Sequence, residues 1–146
     1  MEKRYRKAVF IVTYRKEKNK INYLVLKRKL HWTGWEFPKG GIDSKKSMLD
    51  EVRRETKEET GQFPFKIKSF NKKGKYLYEK EYPDRKGFIG QSYRLFSAEI
   101  KNKKVILDKR EHSAYKWLDF ENAYKKLTFP NQRICLNIVN NLLMKR

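Results

Sequence analysis

The segment from Gly40 to Gln62 constrains the fold most strongly, because it carries the start, the buried face and the end of one helix. Ser47 can cap this helix, with Asp50 three residues later in a capping-box-like relation. Gly61 is expected to end it, because glycine tolerates the left-handed backbone found just past a helix end. The predicted buried face consists of three residues at three- and four-residue spacing: Leu49, Val52 and Thr56.

Three acidic residues lie on this predicted helix: Glu55, Glu58 and Glu59. Their i, i+3, i+4 spacing, at about 100° per residue, puts all three carboxylates on one side of the helix. Clustered like charges are unfavourable unless something positive lies among them. Hard divalent cations take oxygen ligands, and Mg²⁺ commonly bridges to substrate phosphates. The pattern therefore indicates a metal site, and the alternative from spacing alone is a solvated acidic helix face.

The whole segment resembles the Nudix box, which reads Gly, five residues, Glu, seven residues, then Arg-Glu-apolar-x-Glu-Glu-x-Gly-apolar. The matching residues are Gly40, Arg54, Glu55, Glu58, Glu59 and Gly61. Three positions depart from the family pattern. Lys46 stands where the family has its first glutamate, and Thr56 and Gln62 stand at the two apolar positions. The missing glutamate is expected mainly to support the loop and the start of the helix.

This resemblance implies metal-assisted hydrolysis of a phosphoanhydride bond, with Mg²⁺ as the cofactor and Mn²⁺ as an alternative. The implied metal ligands are the backbone carbonyl of Lys39 and the carboxylates of Glu55, Glu58 and Glu59. One glutamate would also orient or deprotonate the attacking water. Arg54 would hold the glutamates in place by ion pairing, and its alternative is a surface pair with Glu58.

The residues around the box resemble two branches of the family, the dinucleoside polyphosphate hydrolases and the bacterial RNA 5'-pyrophosphohydrolases. The stretch WEFPKGG, residues 35–41, is similar to the entry of the box in both branches. Gly90-Gln91, followed by Tyr93 and Phe96, resembles a strand that both branches share. The stretch EHSAYKWL, residues 111–118, is similar to a late segment of diadenosine tetraphosphate hydrolases.

Further site residues follow from these flanking segments. Glu111 is a candidate metal ligand or base, and pairing with a neighbouring basic residue is its alternative. His112 is predicted to be a loop histidine. The candidate substrate-binding residues are Lys39, Arg28, Tyr78, Tyr82 and Tyr93. The two basic side chains would hold phosphate oxygens, and an aromatic face stacked on a base contributes ~1–3 kcal/mol. A place in the sheet or core is the alternative for each tyrosine.

The remaining pattern predicts an α+β fold, a Nudix-type mixed sheet sandwiched between helices, with residues 1–146 as one domain. The predicted strands are residues 5–14, 21–27, 35–37, 65–70, 75–82, 91–100, 105–107 and 114–118. Residues 39–41 are predicted to form a turn. Two C-terminal helices are predicted, one capped by Asp119 and one opened by Pro130. The apolar stripe of the second is Ile134, Ile138, Val139 and Leu142.

Composition adds a strong basic excess, since 37 lysines and arginines against 17 acidic residues give a net charge of +20. This excess favours polyanionic partners, although lysine as a general surface residue is an equal alternative. Cys135, the one cysteine of the chain, lies in an apolar stretch and is interpreted as a core thiol. No segment approaches the ~20 apolar residues that cross a membrane, so a cytoplasmic protein is expected.

The favoured function is hydrolysis of dinucleoside polyphosphates such as diadenosine tetraphosphate. The alternative enzyme is an RNA 5'-pyrophosphohydrolase, which the basic charge would assist. A third hypothesis is a Nudix module that binds nucleotides or RNA without cleaving them. Lys46 favours this last hypothesis, and the intact glutamates oppose it. The expected partner is a small nucleotide substrate, with RNA as a further candidate and no membrane, and the oligomeric state stays open.

Overall fold

The computed structural model of the protein describes residues 4–42 and 47–145. Within these residues one seven-stranded sheet has the order β3-β2-β1-β6-β5, with β4 paired to β1 and β7 paired to β2. The strands are β1 (Arg4–Glu17), β2 (Lys20–Arg28), β3 (Gly34–Glu36), β4 (Lys39–Gly41), β5 (Lys66–Leu77), β6 (Phe88–Glu99) and β7 (His112–Leu118). The helices are α1 (Met48–Thr60), α2 (Phe120–Lys126) and α3 (Pro130–Leu143), with a short 3₁₀ turn at Pro83–Arg85.

The sheet lies between helices because its central strand β1 is apolar on both faces. β1 runs parallel to β6 and antiparallel to β2 and β4. On one face Val9 and Ile11 pack against Val52 of α1. On the other face Phe10 and Val12 belong to a larger cluster that includes residues of α2 and α3. This arrangement confirms the predicted α+β fold with a mixed sheet between helices.

Residues 39–41 form strand β4 rather than the predicted turn. β4 pairs antiparallel with β1, with Lys39 opposite Phe10 and Gly41 opposite Ala8. The glycines of β4 are needed because the strand approaches other side chains closely, and not because the backbone adopts left-handed angles. A Cβ atom on Gly40 would lie 1.9 Å from the carboxyl carbon of Glu55. β4 therefore brings its backbone directly against a glutamate of the box helix.

Three further predictions about secondary structure and burial need correction. The two strands predicted at 65–70 and 75–82 are one strand, β5, with a register shift between Ser69 and Lys73. Residues 105–107 form no strand in the described structure; the amide of Ile106 instead donates to the carbonyl of Thr60. Leu49 and Ile134 are 44% and 50% exposed, so neither belongs to a buried helix face.

The buried side chain of Cys135 confirms the core thiol that the sequence predicts. In the described ranges 4–42 and 47–145, no helix has the length and apolarity needed to span a bilayer.

Candidate active site

Helix α1 carries the acidic residues and is fixed at both ends as the sequence predicts. The hydroxyl of Ser47 accepts a hydrogen bond from the amide of Asp50, 3.2 Å away. Gly61 ends the helix in the left-handed conformation, with a φ of 86°. The side chain of Lys46, the residue in the place of the first box glutamate, lies outside the described residues. The caps fix where α1 begins and ends, and Val52, packed against Val9 and Ile11, fixes which side of the helix faces the sheet.

The three box glutamates differ in exposure, although they share one side of the helix. Glu55 and Glu59 are buried, whereas the Glu58 side chain is 52% exposed. Burial raises the pKa of Glu55 to about 8, with Glu58 and Glu59 adding to the rise and Arg54 opposing it. Burial also raises the pKa of Glu59. Negative charge in this cluster is therefore under-compensated by the protein alone.

Arg54 contacts several carboxylates of α1. Its guanidinium lies 2.9 Å from Glu55 and 2.9 Å from Glu58, and it also donates to the carbonyl of Gly41. A further partner, Glu51, was not foreseen from the sequence. Glu51 is fully buried and pairs with Arg54 from one turn earlier on α1. The sequence could have indicated this ion pair, because Glu51 and Arg54 lie three residues apart on the same helix.

Glu111 and His112 lie beside Glu59. One ligand atom from each of the three residues lies within 4.8 Å of the other two. The prediction of a loop histidine is wrong, because His112 is the first residue of β7 and is 1% exposed. The nearest basic partner of Glu111 is Arg28, at 3.9 Å. Glu111 is thus positioned as a candidate ligand at the same cluster.

A cavity of about 860 Å³ reaches towards the box helix through Lys39, which lines it and precedes Gly40, the residue packed against Glu55. Among its lining residues are the predicted Lys39, Tyr78 and Tyr82, together with Trp32 and Phe129, which were not foreseen. The Trp32 ring lies 6.1 Å from that of Tyr82 and 6.4 Å from that of Phe129. Aromatic faces on several sides give this cavity the character of a pocket for a planar ring.

Two predicted substrate-binding residues do not line this cavity. Tyr93 is buried in the core, where its ring stacks on Phe10 with centroids 4.0 Å apart. Arg28 is 2% exposed, and its guanidinium contacts Glu36 at 3.2 Å and the carbonyl of Leu30 at 2.8 Å. Successive side chains of β6 point to opposite faces of the sheet, and Tyr93 is buried because it points to the face covered by α3.

Basic side chains gather between the aromatic cavity and the glutamates. Lys39 lines the cavity, lies 4.3 Å from the Trp32 ring centroid, and donates to the hydroxyl of Tyr76. Burial lowers the pKa of Lys39 to about 8, and Glu36 opposes that shift. Burial and Arg85 lower the pKa of Arg6, which packs against Gly41. Several cations held this close together favour an anionic ligand.

The residues present fit a divalent cation. The donor set consists of carboxylate oxygens, with the backbone of β4 packed against Glu55. Within residues 4–42 and 47–145, one Glu59 oxygen and one Glu51 oxygen are buried without a hydrogen-bond partner. A cluster of carboxyl groups with raised pKa values and oxygens free to accept a ligand is the kind of site that a divalent cation binds.

Proton release should accompany metal binding. The pKa of Glu55 is raised to about 8, so below that pH this carboxyl holds a proton in the metal-free protein. A metal ligand must be deprotonated, so apparent Mn²⁺ affinity should rise as pH increases from 6 towards 8, by up to about tenfold per unit. Calorimetry in buffers of different ionisation enthalpy measures the released protons. A pH-independent affinity over this range would contradict the expectation.

The comparisons with known proteins agree with this geometry. The NUDIX domain family matches residues 4–136. An RNA pyrophosphohydrolase from Nitratiruptor sp. is 30% identical over 141 residues, covering 88% of this chain and 86% of the relative. An asymmetrical bis(5'-nucleosyl)-tetraphosphatase from Caenorhabditis elegans is 29% identical, covering 82% of this chain and 83% of the relative.

Solved structures give the same result. A binary complex of the C. elegans Ap4A hydrolase superposes with a TM-score of 0.74 at 28% identity, covering 94% of this chain and 97% of that one. The mixed sheet between helices and the three glutamates on one side of α1 agree with these matches. The chain belongs to the Nudix family and is a Nudix hydrolase.

Proposed function

We propose that the protein hydrolyses dinucleoside polyphosphates such as diadenosine tetraphosphate, using Mg²⁺ or Mn²⁺. One observation carries this proposal: Lys39 belongs both to the aromatic cavity and to β4, whose next residue packs against Glu55. A phosphate chain that starts at a base in the cavity would therefore pass Lys39 and reach the glutamates. The relative from C. elegans named as a tetraphosphatase supports this choice of substrate.

The metal-binding residues would be Glu55, Glu58 and Glu59 with the carbonyl of Lys39, and Glu111 as a further ligand or base. When bound, divalent cations neutralise phosphate charge and make water a better nucleophile. Glu58 is the most exposed box glutamate, so it can reach a water or a substrate-bridged ion from the solvent side. Arg54 would restrain Glu55 and Glu58 through its two ion pairs.

The phosphate chain would be held by the basic side chains that border the cavity. Lys39 offers a compact ammonium, and Arg85 offers a planar fork that suits phosphate oxygens. Arg85 is buried, donates to the hydroxyl of Tyr78, and lies 5.7 Å from the Trp32 ring centroid. These contacts orient its guanidinium before any ligand arrives, which reduces the entropy lost on binding.

A base would stack in the aromatic cavity, and Tyr82→Leu tests this step. The substitution keeps apolar bulk but removes an aromatic face that lies 5.4 Å from Tyr78 and 4.5 Å from His31. KM for diadenosine tetraphosphate should rise on the order of tenfold, with kcat changed less than about threefold. Tyr124→Leu, at an exposed tyrosine of α2, is the matched control. An unchanged KM would place the base elsewhere.

Removal of pyrophosphate from RNA 5' ends is the second candidate function. The net charge of +20 and two RNA pyrophosphohydrolase relatives, at 30% and 29% identity, favour it. A panel assay separates the two candidates by offering dinucleoside polyphosphates, nucleoside triphosphates, sugar nucleotides and 5'-triphosphorylated RNA. The highest kcat/KM on RNA, with a steep loss on adding salt, would select the second candidate.

A further inference from the structure

The buried carboxylate of Glu36 has no part in the function proposed above, yet it contacts residues on both sides of the site. We propose that Glu36 and His112 are positioning residues that hold the carboxylate of Glu59 in its metal-binding orientation and tie it to the nucleotide cavity. This inference rests on the proposed function, because it takes Glu59 as a metal ligand.

Glu36 is fully buried, and its carboxylate contacts four charged or polar groups, two at each oxygen. Oε2 contacts Nε2 of His112 at 3.0 Å and the guanidinium of Arg28 at 3.2 Å. Oε1 accepts from the indole of Trp32 at 3.2 Å and lies 3.6 Å from Nζ of Lys39. Three hydrogen bonds and an ion pair on a fully buried carboxylate restrict its orientation. It can therefore fix the direction of each group that it contacts.

His112 carries that constraint to Glu59. Its ring lies between two buried carboxylates, with Nε2 towards Glu36 and Nδ1 2.9 Å from Oε2 of Glu59. Oε2 of Glu59 makes this ion-pair contact and, among the residues that the structure describes, accepts no hydrogen bond of regular geometry. Glu111, the other neighbour of Glu59, is also acidic and repels it. His112 is thus the group that draws the Glu59 carboxylate to its observed place.

The same Glu36 carboxylate also holds Lys39 and Trp32, which line the nucleotide cavity. Glu36 is therefore the common anchor of the cavity and of the Glu59 side of the metal cluster. Substitutions of Glu36 and of His112 are therefore expected to have different effects. A change at His112 that removes its contact with Glu59 should act on metal affinity alone, whereas Glu36→Gln should weaken metal binding and also raise KM for the nucleotide.

Two substitutions of His112 separate positioning from general structure. His112→Gln can keep a donor where Nε2 faces Glu36 but loses the one facing Glu59, and His112→Asn does the reverse. Mn²⁺ affinity, measured by calorimetry on the metal-free protein, should fall about 10- to 100-fold for His112→Gln. His112→Asn keeps the contact with Glu59 but loses the one with Glu36, so it should lower affinity less than His112→Gln does, and by about as much as Glu36→Gln. Thermal unfolding without metal reports the cost of each change to the fold.

A double-mutant cycle with Glu59→Gln gives the decisive comparison. If His112 acts through Glu59, His112→Gln should lower Mn²⁺ affinity by less than about threefold in the Glu59→Gln background. A full 10- to 100-fold loss in that background, or no loss in the parent, would overturn the inference. A parent protein that binds no Mn²⁺ would instead overturn the proposed function. If Glu36→Gln fails to fold, the His112 pair alone decides the outcome.

Discussion

Glu58→Gln should slow hydrolysis of diadenosine tetraphosphate on the order of 100- to 1,000-fold, with the fold unchanged. The amide keeps the shape of the side chain but removes the negative charge that would bind metal beside the reacting phosphate. The Glu58 side chain is 52% exposed and pairs with Arg54, and an exposed ion pair contributes little to stability. A large kinetic loss would therefore report on the chemistry.

The measurement is kcat/KM at saturating Mg²⁺, with thermal unfolding recorded on the same samples. Glu121→Gln is the matched control, because Glu121 is an exposed acidic residue in the first turn of α2. This control should keep activity within about twofold of the parent. If both variants retained the parent rate, Glu58 would have no part in catalysis.

Gly40→Ala should have the second largest effect, through a steric clash with Glu55, a proposed metal ligand. The added Cβ would lie 1.9 Å from the Glu55 carboxyl carbon and 2.2 Å from each carboxylate oxygen, so Glu55 must move. A misplacement of about 1 Å at a reacting centre can cost on the order of 100-fold in rate. Both Mn²⁺ affinity and turnover should fall together.

Gly87→Ala separates this clash from a general loss of stability. Gly87 has a φ of 87°, a conformation that costs an alanine roughly 1–2 kcal/mol, and its added Cβ would meet nothing closer than 3.5 Å. This variant should unfold at a lower temperature yet keep its Mn²⁺ affinity. Unchanged Mn²⁺ affinity in Gly40→Ala would show that the metal lies away from Glu55.

The box helix could be predicted because its signals are local. The cap at Ser47 and the stop at Gly61 each act on the adjacent turn, and the spacing of three glutamates fixes their common side. The prediction that Leu49 is buried was wrong because it used only the local spacing of apolar residues. Apolar spacing alone does not show that α1 buries carboxylates, and burial of Glu51 and Glu55 depends on Arg54 and on the backbone of β4.

The parts that could not be predicted depend on contacts between distant segments. Residues 39–41 look like a turn because two glycines adjoin, but pairing with β1 makes them a strand. His112 looks like a loop residue until β7 pairs with β2 and brings it to Glu36, which lies 76 positions earlier. Trp32 and Phe129 meet in one cavity only through the fold. Pairing across the chain therefore supplies the details of the site.

The most direct test begins with protein stripped of metal by a chelator and then dialysed. This sample is offered diadenosine tetraphosphate, and nucleotide products are separated and quantified before and after Mg²⁺ is restored. We expect no turnover without metal and steady release of mononucleotide products once Mg²⁺ is present, as the proposed metal-dependent hydrolysis requires. Equal rates with and without the cation, or an inert protein on every phosphoanhydride offered, would contradict it.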